Sequence, residues 1–281
     1  MNIGIIGSGT MGNGIAHVFS LYNHKVILVD VNEQILNHAL ETISKNLKRQ
    51  FRKGHITQSE VNSAIDNIEI STNIEKMYCC DLIIEAVKED YNIKSEIFKK
   101  LDAICNSKTI FASNTSSISI DHLSSKLNRK DKFIGMHFMN PVPIMKLIEV
   151  IKGKETSLDT INFIKDLSES IDKIPIECND SPGFVSNRIL MPMINEAAFC
   201  YMEDVADPEA IDSIMKLGMG HPMGPLRLAD LIGIDVCVYI MNVLYDGLKD
   251  EKYKPCPILN DMIENNKLGN KTKEGFYKYE L

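Results

Sequence analysis

The 281-residue sequence predicts an α/β fold: a largely parallel sheet with helices on its faces, an inserted helical hairpin, and a mostly α-helical C-terminal domain. Three observations predict it. Short apolar runs alternate with helical patterns through the first part of the chain, which is how parallel strands and their crossovers read. The stretch after the second run is too long for a plain crossover. Beyond about residue 181 the apolar pattern is helical almost throughout, without a convincing strand until the last few residues.

The elements follow in order. Ile3, Ile5 and Ile6 make a short buried strand, and residues 7–14 are glycine-rich. A helix begins over residues 15–21, and Lys25-Val-Ile-Leu-Val-Asp30 is a second strand. Leu36, Leu40, Ile43, Leu47 and Phe51 then recur at helical spacing. Thr57-Gln-Ser-Glu60 is a capping-box pattern that opens another helix, with Val61, Ala64, Ile65 and Ile68 on one face. The two helices predict a hairpin over about 33–67. Further strands are expected at Ile68–Ser71, 81–86, 109–112, Phe133–Phe138 and 146–151. At Cys178-Asn-Asp-Ser-Pro-Gly183 the composition changes, and Ser181 as N-cap with Pro182 in the first turn predicts a helix start. The expected domains are therefore 1–181 and 182–281.

Composition removes several function classes. The chain is 44% hydrophobic and 25% charged, with 16 Gly and 10 Pro, close to a globular average and far from a disordered or collagen-like one. No apolar run reaches the 18 or so residues of a membrane-spanning helix, and the N-terminus reads as a strand rather than a secretion signal. The seven cysteines include one close pair, Cys79-Cys80, so neither zinc spacing nor a disulfide framework is expected. A reducing cytoplasm is the expected compartment. A net charge of −7 argues against a general nucleic-acid binder, while leaving room for a local basic patch.

Chemistry first shows in Gly7-Ser8-Gly9-Thr10-Met11-Gly12, which fits G-x-G-x-x-G. It follows a strand, opens a helix and precedes a strand ending in Asp30. That context reads as a Rossmann-type dinucleotide site: Gly7 for the tight turn, Gly9 for approach to a pyrophosphate, Gly12 for close helix–strand packing. Asp30 accepts hydrogen bonds from a ribose diol and repels a 2′-phosphate, so NAD is expected over NADP.

A second constellation is Phe133-Ile-Gly-Met-His137-Phe-Met-Asn140-Pro-Val-Pro with Lys146-Leu-Ile-Glu149-Val-Ile. An antiparallel pairing symmetric about residue 143 sets His137 opposite Glu149. Glu149 lies in an apolar strand and needs a partner there, and a carboxylate on one imidazole nitrogen is the arrangement of acid/base pairs. A structural histidine held by a backbone carbonyl is the competing reading. Ala112-Ser-Asn114-Thr-Ser116-Ser117 follows another strand, where hydroxyls can meet ligand, although a helix cap or polar turn fits that pattern equally well. Lys45, Lys48, Arg49, Arg52 and Lys53 recur opposite the hairpin's apolar stripe. They read either as a solvated surface or as a dock for a phosphorylated ligand.

With Ile84-Glu-Ala-Val-Lys-Glu89, Ser181-Pro-Gly-Phe-Val-Ser-Asn-Arg188 and Lys271-Thr-Lys-Glu-Gly-Phe-Tyr277 added, the sequence resembles the L-3-hydroxyacyl-CoA dehydrogenase family over essentially its whole length. The resemblance implies that His137 and Glu149 form the catalytic dyad and that Ser116 and Asn187 contact the reacting oxygen. It implies Glu89, Lys94, Ser116, Asn140 and Lys271 around NAD, beside the glycine loop and Asp30. The hairpin would hold the CoA tail, with Lys53 on a phosphate; Asn46 stands where some members carry a CoA-contacting serine. It further implies an acyl-CoA substrate, such as 3-hydroxybutyryl-CoA, and a homodimer built through the C-terminal domain. Two other readings stay open at this level, a hydroxy acid oxidoreductase without CoA and a non-catalytic dinucleotide-binding protein.

Overall fold

Eight runs rich in Ile, Val, Leu and Phe pair into one sheet: β1 (Asn2–Ile6), β2 (Lys25–Val29), β3 (Ile68–Ser71), β4 (Leu82–Glu85), β5 (Ile110–Ser113), β6 (Phe133–Phe138), β7 (Leu147–Lys152) and β8 (Ile174–Asn179). The computed structural model describes residues 1–280. They fall into two compact units, Met1–Asp180 and the chain from Ser181 onward. The sheet belongs to the first. Its order is β3-β2-β1-β4-β5-β6-β7-β8. Neighbours from β3 through to β6 run parallel, β7 lies antiparallel to β6, and β8 is parallel to β7. Strands β4 and β6 are buried along their whole length, as strands covered on both faces must be. Because β2 and β4 flank β1 on opposite sides, the strand order reverses there, and ligands bind open α/β sheets at the carboxyl ends beside such a reversal.

Six helices cover this sheet: α1 (Thr10–Leu21), α2 (Glu33–Arg52), α3 (Gln58–Asp66), α4 (Tyr91–Ile104), α5 (Ile120–Ser124) and α6 (Leu158–Ser170). The hairpin is α2 and α3. Asn32 caps α2 by accepting the Gln34 N–H, and Thr57 and Glu60 complete the capping box of α3. Leu36, Ala39, Ile43 and Leu47 of α2 and Val61 and Ala64 of α3 share one core with Ile15 and Phe19 of α1. The apolar stripe thus holds the hairpin on the sheet unit and turns its cations outward.

Three details differ from the sequence expectation. Helix α1 begins at Thr10, so Gly12 and Gly14 lie in the helix and the turn itself is short. Strand β8 was not expected; it carries Pro175 and is half exposed, so its apolar signal is weak. The helix expected to start at Ser181 starts at Ser186. Gly183 and Phe184 both take left-handed φ values, +71° and +50°, and that sharp turn postpones the helix.

The second unit is helical: α7 (Ser186–Met202), α8 (Pro208–Met219), α9 (Pro225–Ile232), α10 (Ile234–Leu248) and α11 (Pro257–Glu264). Met191, Ile194, Ile234, Cys237, Met241 and Leu244 centre its core. Buried Asp230 accepts the N–H groups of Phe276 and Tyr277 and the Tyr279 hydroxyl at 2.9–3.0 Å, which pins the end of the chain. Among the described residues no single helix is long and apolar enough to cross a membrane, and no group of side chains is arranged to hold a metal ion.

Candidate active site

At the end of β1 the chain turns through Gly7, whose φ of +95° is left-handed and suits glycine. A Cβ on Gly12 would lie 1.7 Å from the Gly7 carbonyl oxygen, so α1 can pack this closely only with glycine at that position. Gly9 is the N-cap of α1, with no side chain capping the helix and open space where a Cβ would be. Ser8, Gly9, Thr10 and Met11 therefore lead into a helix N-terminus whose N–H groups suit phosphate oxygens. At the end of β2, Asp30 accepts the Ser8 N–H at 2.7 Å and hydroxyl at 2.8 Å on Oδ2, and the Val31 N–H at 2.7 Å on Oδ1. An ionised carboxylate has further lone pairs for a ribose diol. These residues fit a dinucleotide.

The next two strand ends share a polar network. Glu85 closes β4 fully buried, and its carboxylate meets the Lys94 ammonium at 2.6 Å and accepts the Ser113 hydroxyl at 2.6 Å. Burial pushes the Glu85 carboxyl up, against the pull of Lys94 and Ser113. Lys94 also lies 3.1 Å from Glu89. One Glu89 oxygen accepts the Thr115 hydroxyl, the Ser116 and Ser117 N–H groups and the Ser117 hydroxyl at 2.6–3.0 Å. Burial works against ionised Glu89, but the Lys94 charge and those hydroxyls outweigh it and hold the carboxyl below its usual range. Glu89 thereby shapes the loop that presents Ser116. Lys94 is 1% exposed and supports that loop from beneath. Sequence reasoning gave no role to Glu85, though the signal that found Glu149, a carboxylate inside an apolar strand, is present in Leu-Ile-Ile-Glu85 too.

On the adjoining strands His137 and Glu149 are direct cross-strand partners. His137 Nδ1 lies 2.7 Å from Glu149 Oε2, and the residues are 8% and 4% exposed. Asn114 Oδ1 accepts the Phe138 N–H at 2.9 Å, which ties the serine loop to the strand of His137. Asn140 is exposed in the turn beyond β6. The first unit thus carries the glycine loop, Asp30, Glu89, Lys94, Ser116, His137, Asn140 and Glu149. Asn187 and Lys271 belong to the second unit. Asn187 is buried in the first turn of α7, and Lys271 is ion-paired with Asp235.

The hairpin cations divide. Asn46, Arg49, Lys53, His55, Lys146 and Lys173 line a groove of about 600 Å³, walled also by α1 and the turn after β6. Lys45, Lys48 and Arg52 line a different groove with Ile43, Ile65 and Ile68. The five-cation stripe is therefore two surfaces, because cations spread over five helical positions fan around the axis. In the first groove Lys146 is paired with Asp172. No carboxylate among the described residues lies within ion-pair distance of Arg49, Lys53 or Lys173, so the groove is strongly positive in an acidic chain. His17 on its α1 wall is buried, which pushes the imidazole down to about 4 and leaves it neutral. Neither His17 nor Lys173 was visible as a site residue, since each comes from an element distant in sequence.

The chain is similar to known proteins in sequence and in fold. Residues 2–181 match the family pattern of the 3-hydroxyacyl-CoA dehydrogenase NAD binding domain, and residues 183–279 that of its C-terminal domain. The chain is 49% identical to the 3-hydroxybutyryl-CoA dehydrogenase of Clostridioides difficile over 279 residues, covering 99% of each protein. It is 40% identical to the human mitochondrial hydroxyacyl-coenzyme A dehydrogenase, over 99% of this chain and 91% of that one. Among solved structures, the (S)-3-hydroxybutyryl-CoA dehydrogenase of Ralstonia eutropha superimposes with a TM-score of 0.96 at 44% identity, covering 100% of this chain and 99% of that one. These matches, which span both units, place this chain in the 3-hydroxyacyl-CoA dehydrogenase family.

Proposed function

We propose that this chain interconverts (S)-3-hydroxyacyl-CoA and 3-oxoacyl-CoA with NAD, and that 3-hydroxybutyryl-CoA and acetoacetyl-CoA are its substrate pair. The observation that carries the reading is the 2.7 Å contact between His137 Nδ1 and Glu149 Oε2. A carboxylate at that distance orients the imidazole through Nδ1, and Nε2 is the nitrogen assigned to exchange a proton with the 3-oxygen of the substrate. In the oxidative direction His137 takes the hydroxyl proton; in the reductive direction it returns a proton to the keto oxygen. Bound NAD supplies the two-electron transfer at its nicotinamide ring. Ser116 and Asn187 orient the reacting oxygen.

The glycine loop, Asp30, Glu89, Asn140 and Lys271 hold the dinucleotide, with Lys94 acting from beneath the loop. The groove of Asn46, Arg49 and Lys53 takes the CoA nucleotide, whose phosphates match its unpaired positive charge. The reading includes a homodimer formed through the second unit and a cytoplasmic setting, for which free thiols at all seven cysteines are suited.

The test is absorbance-monitored NADH consumption with acetoacetyl-CoA, with free acetoacetate and NADPH as controls. Turnover should require the CoA thioester. Asp30 would face the 2′-phosphate of NADPH with like charge, so kcat/KM should be lower by about two decades with that cofactor. Reduction of free acetoacetate at a comparable kcat/KM would instead point to a hydroxy acid dehydrogenase.

A further inference from the structure

The turn between β6 and β7 belongs to both the dyad and the groove. It leaves β6 just after His137 and enters β7 two residues before Glu149, and its own residues Pro141, Pro143 and Ile144 form groove wall. On one side it packs against α1: a Cβ on Gly14 would lie 2.9 Å from Val142 Cβ, and Val142 is buried. Within the turn the Pro141 carbonyl accepts the N–H groups of Ile144 and Met145 at 3.0 Å. From the other side Lys173 reaches in. Its ammonium donates to the carbonyl oxygens of Val142 at 2.6 Å and Met145 at 2.8 Å.

Lys173 is 6% exposed, and its neighbour Asp172 is paired with Lys146 instead. Burial, with Lys146 beside it, pushes the Lys173 ammonium below its ordinary range. A buried cation answered by two carbonyl dipoles, with the Asp172 carboxylate acting only at longer range, is incompletely compensated. An anion in the groove would supply the missing counter-charge.

We infer that Lys173 is a positioning residue for the reaction, through which the anionic end of the substrate sets the turn joining the two strands of the dyad. The inference rests on the acyl-CoA reading above. A phosphate near Lys173 stabilises the ammonium and with it the two bonds that close the turn. Binding energy from a part of the substrate remote from the reacting carbon then appears in kcat as well as in KM. Arg49 and Lys53, exposed at the rim, contribute to KM.

The experiment compares acetoacetyl-CoA with acetoacetyl-pantetheine, which lacks the nucleotide, in the wild type and Lys173→Met. A second arm adds 3′-phosphoadenosine 5′-diphosphate to the pantetheine reaction, at concentrations that saturate its inhibition of the CoA reaction. In the wild type, kcat should be about tenfold higher with the CoA substrate, and the added nucleotide should raise kcat/KM for the pantetheine substrate about fivefold or more. Lys173→Met should lose both effects, its kcat falling about fivefold or more further with acetoacetyl-CoA than with acetoacetyl-pantetheine, and Lys173→Arg should restore part of them. Equal losses on both substrates would mark Lys173 as a structural prop and overturn the inference. So would absence of nucleotide activation in the wild type, an outcome independent of whether any variant folds. A wild type that does not turn over acetoacetyl-CoA removes the acyl-CoA reading itself, which separates the two failures.

Discussion

Two carboxylates are buried within strands of this sheet, Glu85 in β4 and Glu149 in β7, and burying such a charge alone would cost on the order of several kcal/mol. They are answered differently. Glu85 meets Lys94, and the pair works as a support under the serine loop. Glu149 meets His137, an imidazole, which is a side chain that can take up and release a proton in a reaction. The difference predicts unlike mutants. His137→Ala should lose about 10²- to 10⁴-fold in kcat while keeping NADH affinity, the range expected for general acid–base catalysis. Glu149→Gln keeps the shape and removes the anion; its rate at pH 7 should fall, and the acid-dependent limb of the reductive pH–rate profile should move to lower pH. The sign follows because imidazolium without a nearby anion is less stable. Wild-type turnover with an unmoved limb in Glu149→Gln would leave Glu149 a structural carboxylate. The opposition of these two residues was legible in the sequence because both strands and the turn between them are contiguous, which fixes the register. Glu85, Lys94 and Ser113 lie on separate elements, and no register relates them.

Among the elements, the hairpin was legible from its periodicity and capping box, but its charged face was not. Helical spacing shows which residues avoid the apolar stripe; it does not show which neighbouring element each one meets. Tertiary packing puts Arg49 and Lys53 in one groove and Arg52 in another. Charge reversal should therefore be selective. Lys53→Glu or Arg49→Glu should raise KM for acetoacetyl-CoA about tenfold or more and leave acetoacetyl-pantetheine nearly unaffected, whereas Arg52→Glu should change neither by more than about threefold. Added salt should weaken the CoA substrate selectively in the wild type, since exposed charges are screened. Equal sensitivity at all three positions would mean that the hairpin acts only through a diffuse field. The same limit on legibility explains strand β8 and the start of α7. The half-exposed strand carries a diluted apolar signal, and the Ser181-Pro182 cap pattern is overridden by a backbone reversal two residues later.

At the scale of the whole molecule the second unit carries more apolar surface than its core uses. Helix α8 buries Ile211 and Asp212, while Ile214, Leu217 and Met219 stand 60%, 87% and 65% exposed. Ile189 of α7 and Leu231 of α9 are exposed as well. A helix that turns its apolar residues outward presents an interaction surface rather than a finished exterior. A second copy of the chain is the occupant proposed here, because a two-fold dimer covers like with like and closes without leaving an open edge. Light scattering should accordingly give twice the chain mass for the wild type. The double variant Ile214→Asp, Leu217→Asp should give the single-chain mass, since each buried carboxylate would lack a partner across the interface. The glycine loop and Asp30 lie wholly in the first unit, so the separated chains should still bind NADH with an affinity close to that of the dimer. A wild type that scatters as one chain would remove the dimer from the reading and leave the proposed chemistry intact. If the variant dimerises like the wild type, the interface lies elsewhere on the molecule, and the exposed face of α8 needs a different occupant.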